Sequence, residues 1–227
     1  MDPFVKLKKS EIWGALILLA LHAIIFPIVA GFCIGFNTPG WDSARINLAY
    51  YCLSFCCTLL LMGNFLHRNF NALCDNPGRV IKTYLLGWLI YLGAAMAAGV
   101  ILNFIDFGGA NPNDSAVMDM VDINRRSVFV IGVLLAPIVE ETIFRGGIFG
   151  SIRPKSRLLA YAASIALFSL YHVWQFAFFY NDLRYLIFAL QYIPISLTLC
   201  WCYDRSGSLW TSIALHMTFN LIGIMLS

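Results

Sequence analysis

Residues 128–150 read VFVIGVLLAPIVEETIFRGGIFG. A run of about 20 apolar residues spans a bilayer as a helix, and this one is long enough. It nevertheless carries Glu140 and Glu141 near its middle and Arg145 one turn later. An ionisable side chain at bilayer depth is costly, so its presence normally marks a functional site. On a helix Glu141 and Arg145, four apart, share a face and can pair. Glu140 is turned about 100° away and is left free of that pair.

Six further apolar runs flank this one, at about 12–36, 45–66, 80–105, 158–180, 185–203 and 208–226. The bulk composition agrees. Of 227 residues, 60% are hydrophobic and 12% charged, with mean hydropathy +0.76. A soluble domain carries roughly a quarter charged residues, so a water-soluble globular domain and a disordered chain are both excluded. The expectation is an all-α, polytopic transmembrane helix bundle of about seven spans. It forms a single integral membrane domain over 1–227. The run at 12–36 is too long for a signal-peptide core and reads as the first span.

The charges set the topology. Lys6, Lys8, Lys9, Arg68, Arg79, Lys82, Arg153, Lys155, Arg157 and Arg205 fall in one set of alternate connections. Arg45, Arg125, Arg126 and Arg184 fall in the other. Ten against four places the N-terminus in the cytoplasm by the positive-inside rule. The polar stretch 106–126, with four aspartates, then reads as an outer connection. No basic patch suits nucleic acid, so the bilayer is the expected partner and the oligomeric state is open. Seven cysteines, odd in number, lie mostly in apolar runs and read as reduced, lipid-buried small hydrophobes.

Other polar residues interrupt the late spans. The run at 158–180 holds Phe168 and His172 four apart, and the last holds His216 and Asn220 four apart. At 1.5 Å rise per residue, Glu140 lies about 18 Å from Ile152 and His172 about 21 Å from Leu158. His216 and Asn220 lie about 12 and 18 Å from Ser208. The four therefore fall near one level. His22, in the first span, has no such partners and reads as a packing residue. Gly31–Gly35 and Gly146–Gly150 read as close helix contacts.

A carboxylate removed from water is a better base, and with a neighbouring histidine it can take a proton from water. Peptide hydrolysis further needs donors for the oxyanion. Glu140 and His172 would activate water, and His216 and Asn220 would stabilise the tetrahedral intermediate. Glu141 and Arg145 would orient Glu140. Water must reach the site, which predicts a cavity opening to the cytoplasmic side.

The series Glu140-Glu141-x-x-x-Arg145, Phe168-x-x-x-His172 and His216-x-x-x-Asn220, in this order over 128–226, resembles the CAAX protease and bacteriocin-processing family, whose best-known members are the Ras-converting CAAX endoproteases. The resemblance implies an intramembrane glutamic endopeptidase with Glu140, His172, His216 and Asn220 as catalytic residues and Glu141, Arg145 and Phe168 in support. It implies no cofactor. The implied substrate is a membrane-associated peptide or lipidated protein tail, a prenylated CAAX C-terminus being one candidate. The implied setting is the inner or plasma membrane of a prokaryote or the endoplasmic reticulum of a eukaryote. Residues 1–127 carry no motif of the family. Three alternatives stand beside this reading. Zinc could be held by His172, His216 and Glu140, although no HExxH is present. The scaffold could serve bacteriocin self-immunity or partner binding without turnover. A transporter would need an inverted repeat, which is not evident.

Overall fold

The computed structural model describes residues 4–36, 40–105, 107 and 109–226. These form helices without a single strand among the described residues. In chain order they are α1 (Lys9–Ile34), α2 (Ser43–Asp75), α3 (Pro77–Leu102) and α4 (Pro112–Ile152). Then follow α5 (Arg157–Tyr171), α6 (Trp174–Phe179), α7 (Leu183–Ser206) and α8 (Leu209–Leu226).

The helix starts follow from local chemistry. The side chains of Asp42, Asn76, Asn111, Ser156 and Asp182 each accept a hydrogen bond from a backbone N–H two or three residues ahead. These caps satisfy donors that a helix start leaves unpaired. Pro77 and Pro112 occupy first helical positions, where no N–H is needed. α7 stops at Gly207, whose φ of 77° lies in the left-handed region that glycine adopts without strain.

Six helices are long and apolar enough to cross a membrane. Leu60, Leu89, Met96 and Val100 point outward on them, as lipid-facing residues do. The run expected as a seventh span, 158–180, is cut. α5 ends at Tyr171, and Val173 N bonds Leu170 O at 3.1 Å instead of continuing the α pattern. His172 Nδ1, 2.8 Å from Phe168 O, satisfies one of the carbonyls left over at that end. The stretch 106–126 also differs from the expectation of a plain connection. From Pro112 it is helical and forms the first part of α4, which breaks at Asn124 (φ −156°, ψ 82°), whose side chain accepts from Ser127 N. Residues 106 and 108 lie outside the described residues.

The chain order sorts the basic side chains into the two groups of ten and four. At the ten-residue end, Arg68 grips Glu11 at 2.7 Å. There too, Arg153 and Arg157 both pair with Asp204. At the other end Arg125 donates to Ile224 O at 2.8 Å and Asn111 to Gln191 at 2.8 Å.

The core lies between α1, α2, α4, α5 and α8, around Leu18, Phe65, Phe144, Phe168 and Ile213. Glycine permits the closest approaches. A Cβ on Gly147 would stand 2.6 Å from Ala15 Cβ, and one on Gly146 2.9 Å from the Phe65 ring. A Cβ on Gly150 would meet Leu7 at 3.2 Å. For Gly31 the neighbour is the Phe179 ring, at 2.7 Å.

Candidate active site

α4 carries the acidic pair between two π-helical turns, Val130–Leu135 and Thr142–Phe149. Such wide turns recur at functional sites. Pro137 contributes to the first, because it has no N–H to return to residue 133. Between them Glu140 and Glu141 are almost wholly buried.

The two glutamates have separate partners. Glu141 Oε1 lies 2.9 Å from Arg145 Nη1 and 3.0 Å from His216 Nδ1. Arg145, itself fully buried, also donates to the Ser196 carbonyl at 3.0 Å and hydroxyl at 2.9 Å. Its guanidinium stacks 4.1 Å from the centre of the Phe168 ring. A buried arginine needs this many acceptors to offset its lost hydration.

Glu140 makes no contact with the guanidinium in this arrangement. Its Oε1 accepts from the Tyr51 hydroxyl at 3.1 Å. Its Oε2 faces two imidazoles, each 4.0 Å away at Nε2: His172 from the end of α5 and His216 from α8. Both rings are pinned from behind, His172 by Phe168 O and His216 by Glu141. Phe168 packs between them, with centroids 4.5 Å from His172 and 5.9 Å from His216. Tyr192 stacks on the outer face of His172 at 4.3 Å.

Asn220 lines the same cavity one turn beyond His216, and its amide donates to Gly132 O at 2.8 Å. An amide nitrogen carries two hydrogens, so one remains for a ligand. The structure thus brings Glu140, His172 and His216 together directly and sets Asn220 beside them. Among the described residues no three His, Cys, Asp or Glu are grouped so as to hold a metal ion.

The site sits at the inner end of a cavity of about 740 Å³. Its walls come from α1, α2, α4, α5, α6, α7 and α8, and its outer part is lined by Ser43, Asn47, Asn113 and Asp114. These residues belong to the end of the bundle that holds four basic side chains. A cytoplasmic N-terminus and a cavity open to the cytoplasm were both expected. α1 begins at one end of the bundle, whereas Ser43, Asn47, Asn113 and Asp114 line the cavity toward the other.

Sequence reasoning passed over several neighbours of the site. Tyr51, Tyr171 and Ser196 belong to none of the three motifs, and His22 stands in the sequence as a packing residue without partners. His22 in fact bonds Ser54 at 2.9 Å and Tyr171 at 2.9 Å. The available signal was a tyrosine hydroxyl inside an apolar run, which needs a partner.

Comparison with known proteins places a family resemblance on the late helices. Residues 123–222 match the family model of type II CAAX prenyl endopeptidase Rce1-like proteins. Over this segment the chain is similar to that family. The matched range holds Glu140, Glu141, Arg145, Phe168, His172, His216 and Asn220, and lies outside Tyr51. The chain is 26% identical over 158 residues to a Bacillus subtilis protein named "Putative membrane peptidase YdiL", covering 69% of this chain and 60% of that protein. It is 30% identical over 95 residues to the UPF0177 protein YxdF of Lactococcus lactis, covering 42% of this chain and 46% of the relative. A second Lactococcus protein, YvdC, is 21% identical over 63% of this chain and 51% of its own length. The chain therefore spans about half to three-fifths of the length of these relatives. No solved structure matches it.

Proposed function

We propose that the protein is an intramembrane endopeptidase in which Glu140 activates water. The observation that carries this reading is the convergence of His172 Nε2 and His216 Nε2 on Glu140 Oε2, each at 4.0 Å, at the end of a cavity. A separation of 4 Å is too long for a direct hydrogen bond and suits one bridging water.

The reaction follows from these positions. Phe168 O takes the Nδ1 hydrogen of His172, which leaves Nε2 as an acceptor that orients one hydrogen of the water. Glu140 takes the other hydrogen as the water oxygen bonds to the scissile carbonyl carbon. The carbonyl π electrons move to oxygen, and donors must then hold the oxyanion. The second amide hydrogen of Asn220 is one donor. His216 spends its Nδ1 hydrogen on Glu141, so Nε2 donates only when the ring is protonated, with Glu141 as its counter-charge. Collapse of the intermediate breaks the C–N bond, and Glu140 returns its proton to the leaving amine. Glu141 and Arg145 keep the charge near Glu140 balanced throughout.

The substrate class that suits the cavity is a membrane-associated peptide segment or lipidated tail, since the lining is largely apolar with polar groups at either end. A zinc centre on His172, His216 and Glu140 is the alternative reading, and no step is routed through a metal. The test is Glu140→Gln in the full chain. C-terminal and internal peptides of membrane proteins are compared by quantitative proteomics between wild type and variant. Peptides that vanish in the variant while its level in the membrane is unchanged support the proposal. An unchanged peptide set overturns it. Stoichiometric zinc in the purified wild type would overturn the metal-free mechanism alone.

A further inference from the structure

Beside Glu140, lining the same cavity with Tyr50, Tyr51 and Tyr171 and running inward to His22, lies a second polar cluster that the hydrolytic scheme does not use. It consists of His22 on α1, Ser54, Tyr50 and Tyr51 on α2, and Tyr171 at the end of α5. His22 and Ser54 are completely buried, and Tyr50 is 9% exposed. The His22 ring stacks on Tyr50 with centroids 5.1 Å apart.

Packing alone would be served as well by phenylalanine. Each buried hydroxyl is costly unless it is bonded. Here all are bonded, and the contacts form a continuous path. Ser54 Oγ lies 2.9 Å from His22 Nδ1, and His22 Nε2 lies 2.9 Å from the Tyr171 hydroxyl. Tyr171 stands 3.3 Å from the Tyr51 hydroxyl, which lies 3.1 Å from Glu140 Oε1. Tyr50 closes the side, with its hydroxyl 3.0 Å from Tyr171 and 3.1 Å from His22 O.

The direction of the path is set at one end. An ionised carboxylate only accepts, so the Tyr51 hydrogen must point to Glu140. The Tyr51 oxygen is then free to accept from Tyr171, Tyr171 from His22 Nε2–H, and His22 Nδ1 from Ser54. Each group in such a chain polarises the next. We propose that Tyr51 is a positioning residue for Glu140, and that His22, acting through Tyr171, holds the Tyr51 hydroxyl in its donating direction. The consequence is a fixed carboxylate: Oε1 is held from behind, and Oε2 is presented between the two imidazoles. Other charged or polar groups near Glu140 are His172, His216, Glu141 and Arg145, and none of them contacts Oε1 in this way. The inference rests on the reading of Glu140 as the base only for its catalytic meaning; the positioning itself is measurable without a substrate.

The measurement is infrared absorption of the full chain in detergent micelles at alkaline pH. Subtracting the Glu140→Gln spectrum isolates the carboxylate stretching band of Glu140. The band is expected to shift in Tyr51→Phe, and to shift in the same direction but less in Tyr171→Phe. The double variant should match Tyr51→Phe alone, because both changes cut one path. A purely structural cluster would lower the melting temperature without moving the band. An unmoved band in Tyr51→Phe overturns the proposal, and an unmoved band in Tyr171→Phe overturns the part assigned to His22. If Tyr51→Phe does not fold, Tyr171→Phe decides by the same criterion. Cleavage that persists in Glu140→Gln would overturn the proposed function while leaving the infrared result to stand by itself.

Discussion

His216 Nδ1 lies 3.0 Å from Glu141 Oε1, so the residue next to the proposed base is tied to an opposite helix of the site. The same oxygen receives Arg145 at 2.9 Å, which makes Glu141 the junction of α4 with α8. Removing its charge leaves a fully buried guanidinium without its carboxylate. Loss of one partner from a buried pair costs about 3–5 kcal/mol. Glu141→Gln is therefore expected to melt well below wild type in detergent, whereas Glu140→Gln, which breaks no ion pair with Arg145, should melt close to it. Parallel thermal unfolding of the two variants checks this, and equal melting temperatures would contradict the division of roles.

His172 holds its place at the end of α5 by one bond to Phe168 O and by stacking on Tyr192. Positioned proton-transfer groups contribute roughly 10²–10⁴-fold to rate. His172→Gln is expected to lower turnover by that order, with the helix content unchanged by circular dichroism. Turnover within a factor of a few of wild type would remove His172 from the mechanism.

Asn220 has a structural bond and, in the proposal, a catalytic one. Losing the bond to Gly132 O costs about 1 kcal/mol of stability. Losing an oxyanion donor costs roughly 10²–10³ in kcat. Asn220→Ala should show both, the second as a fall in kcat with KM little changed. A stability loss with kcat intact would leave Asn220 as a helix-to-helix tie only.

The start of α1 and the mouth of the cavity lie at opposite ends of the bundle. In a cysteine-depleted background, Lys6→Cys and Asn113→Cys are expected to react with a membrane-impermeant maleimide from opposite sides of the membrane. Labelling of both from one side would contradict the arrangement of α1 and α4.

Much of this was legible in the residues. The apolar run over 128–150 with Glu140, Glu141 and Arg145 marks both a span and its anomaly, because the cost of a charge in lipid is large and local. The Glu141–Arg145 pair follows from helical spacing alone. The alternation of basic residues sorts the helix ends, since it depends only on where charges interrupt apolar runs. The break after Tyr171 was not legible. The stretch 158–180 stays apolar through it, and apolarity does not distinguish a continuous helix from a turn buried among other helices. The same holds for 106–126, where aspartates suggested a loop but a capped helix forms from Pro112.

By itself, then, the sequence determined that this is a helical membrane protein with a small set of misplaced polar residues at one depth. Spacing along a helix and the energetics of burial are properties of short segments, so they can be read without a fold. Only the tertiary structure decided which imidazole nitrogens meet Glu140, that Asn220 already spends one hydrogen on Gly132, and which end of the bundle the cavity leads to. It also joined His22 and Tyr51, far from the three motifs in sequence, to the carboxylate. Those outcomes depend on how helices rotate and cross, which is set by long-range packing at places such as Gly147 against Ala15 and not by any one segment.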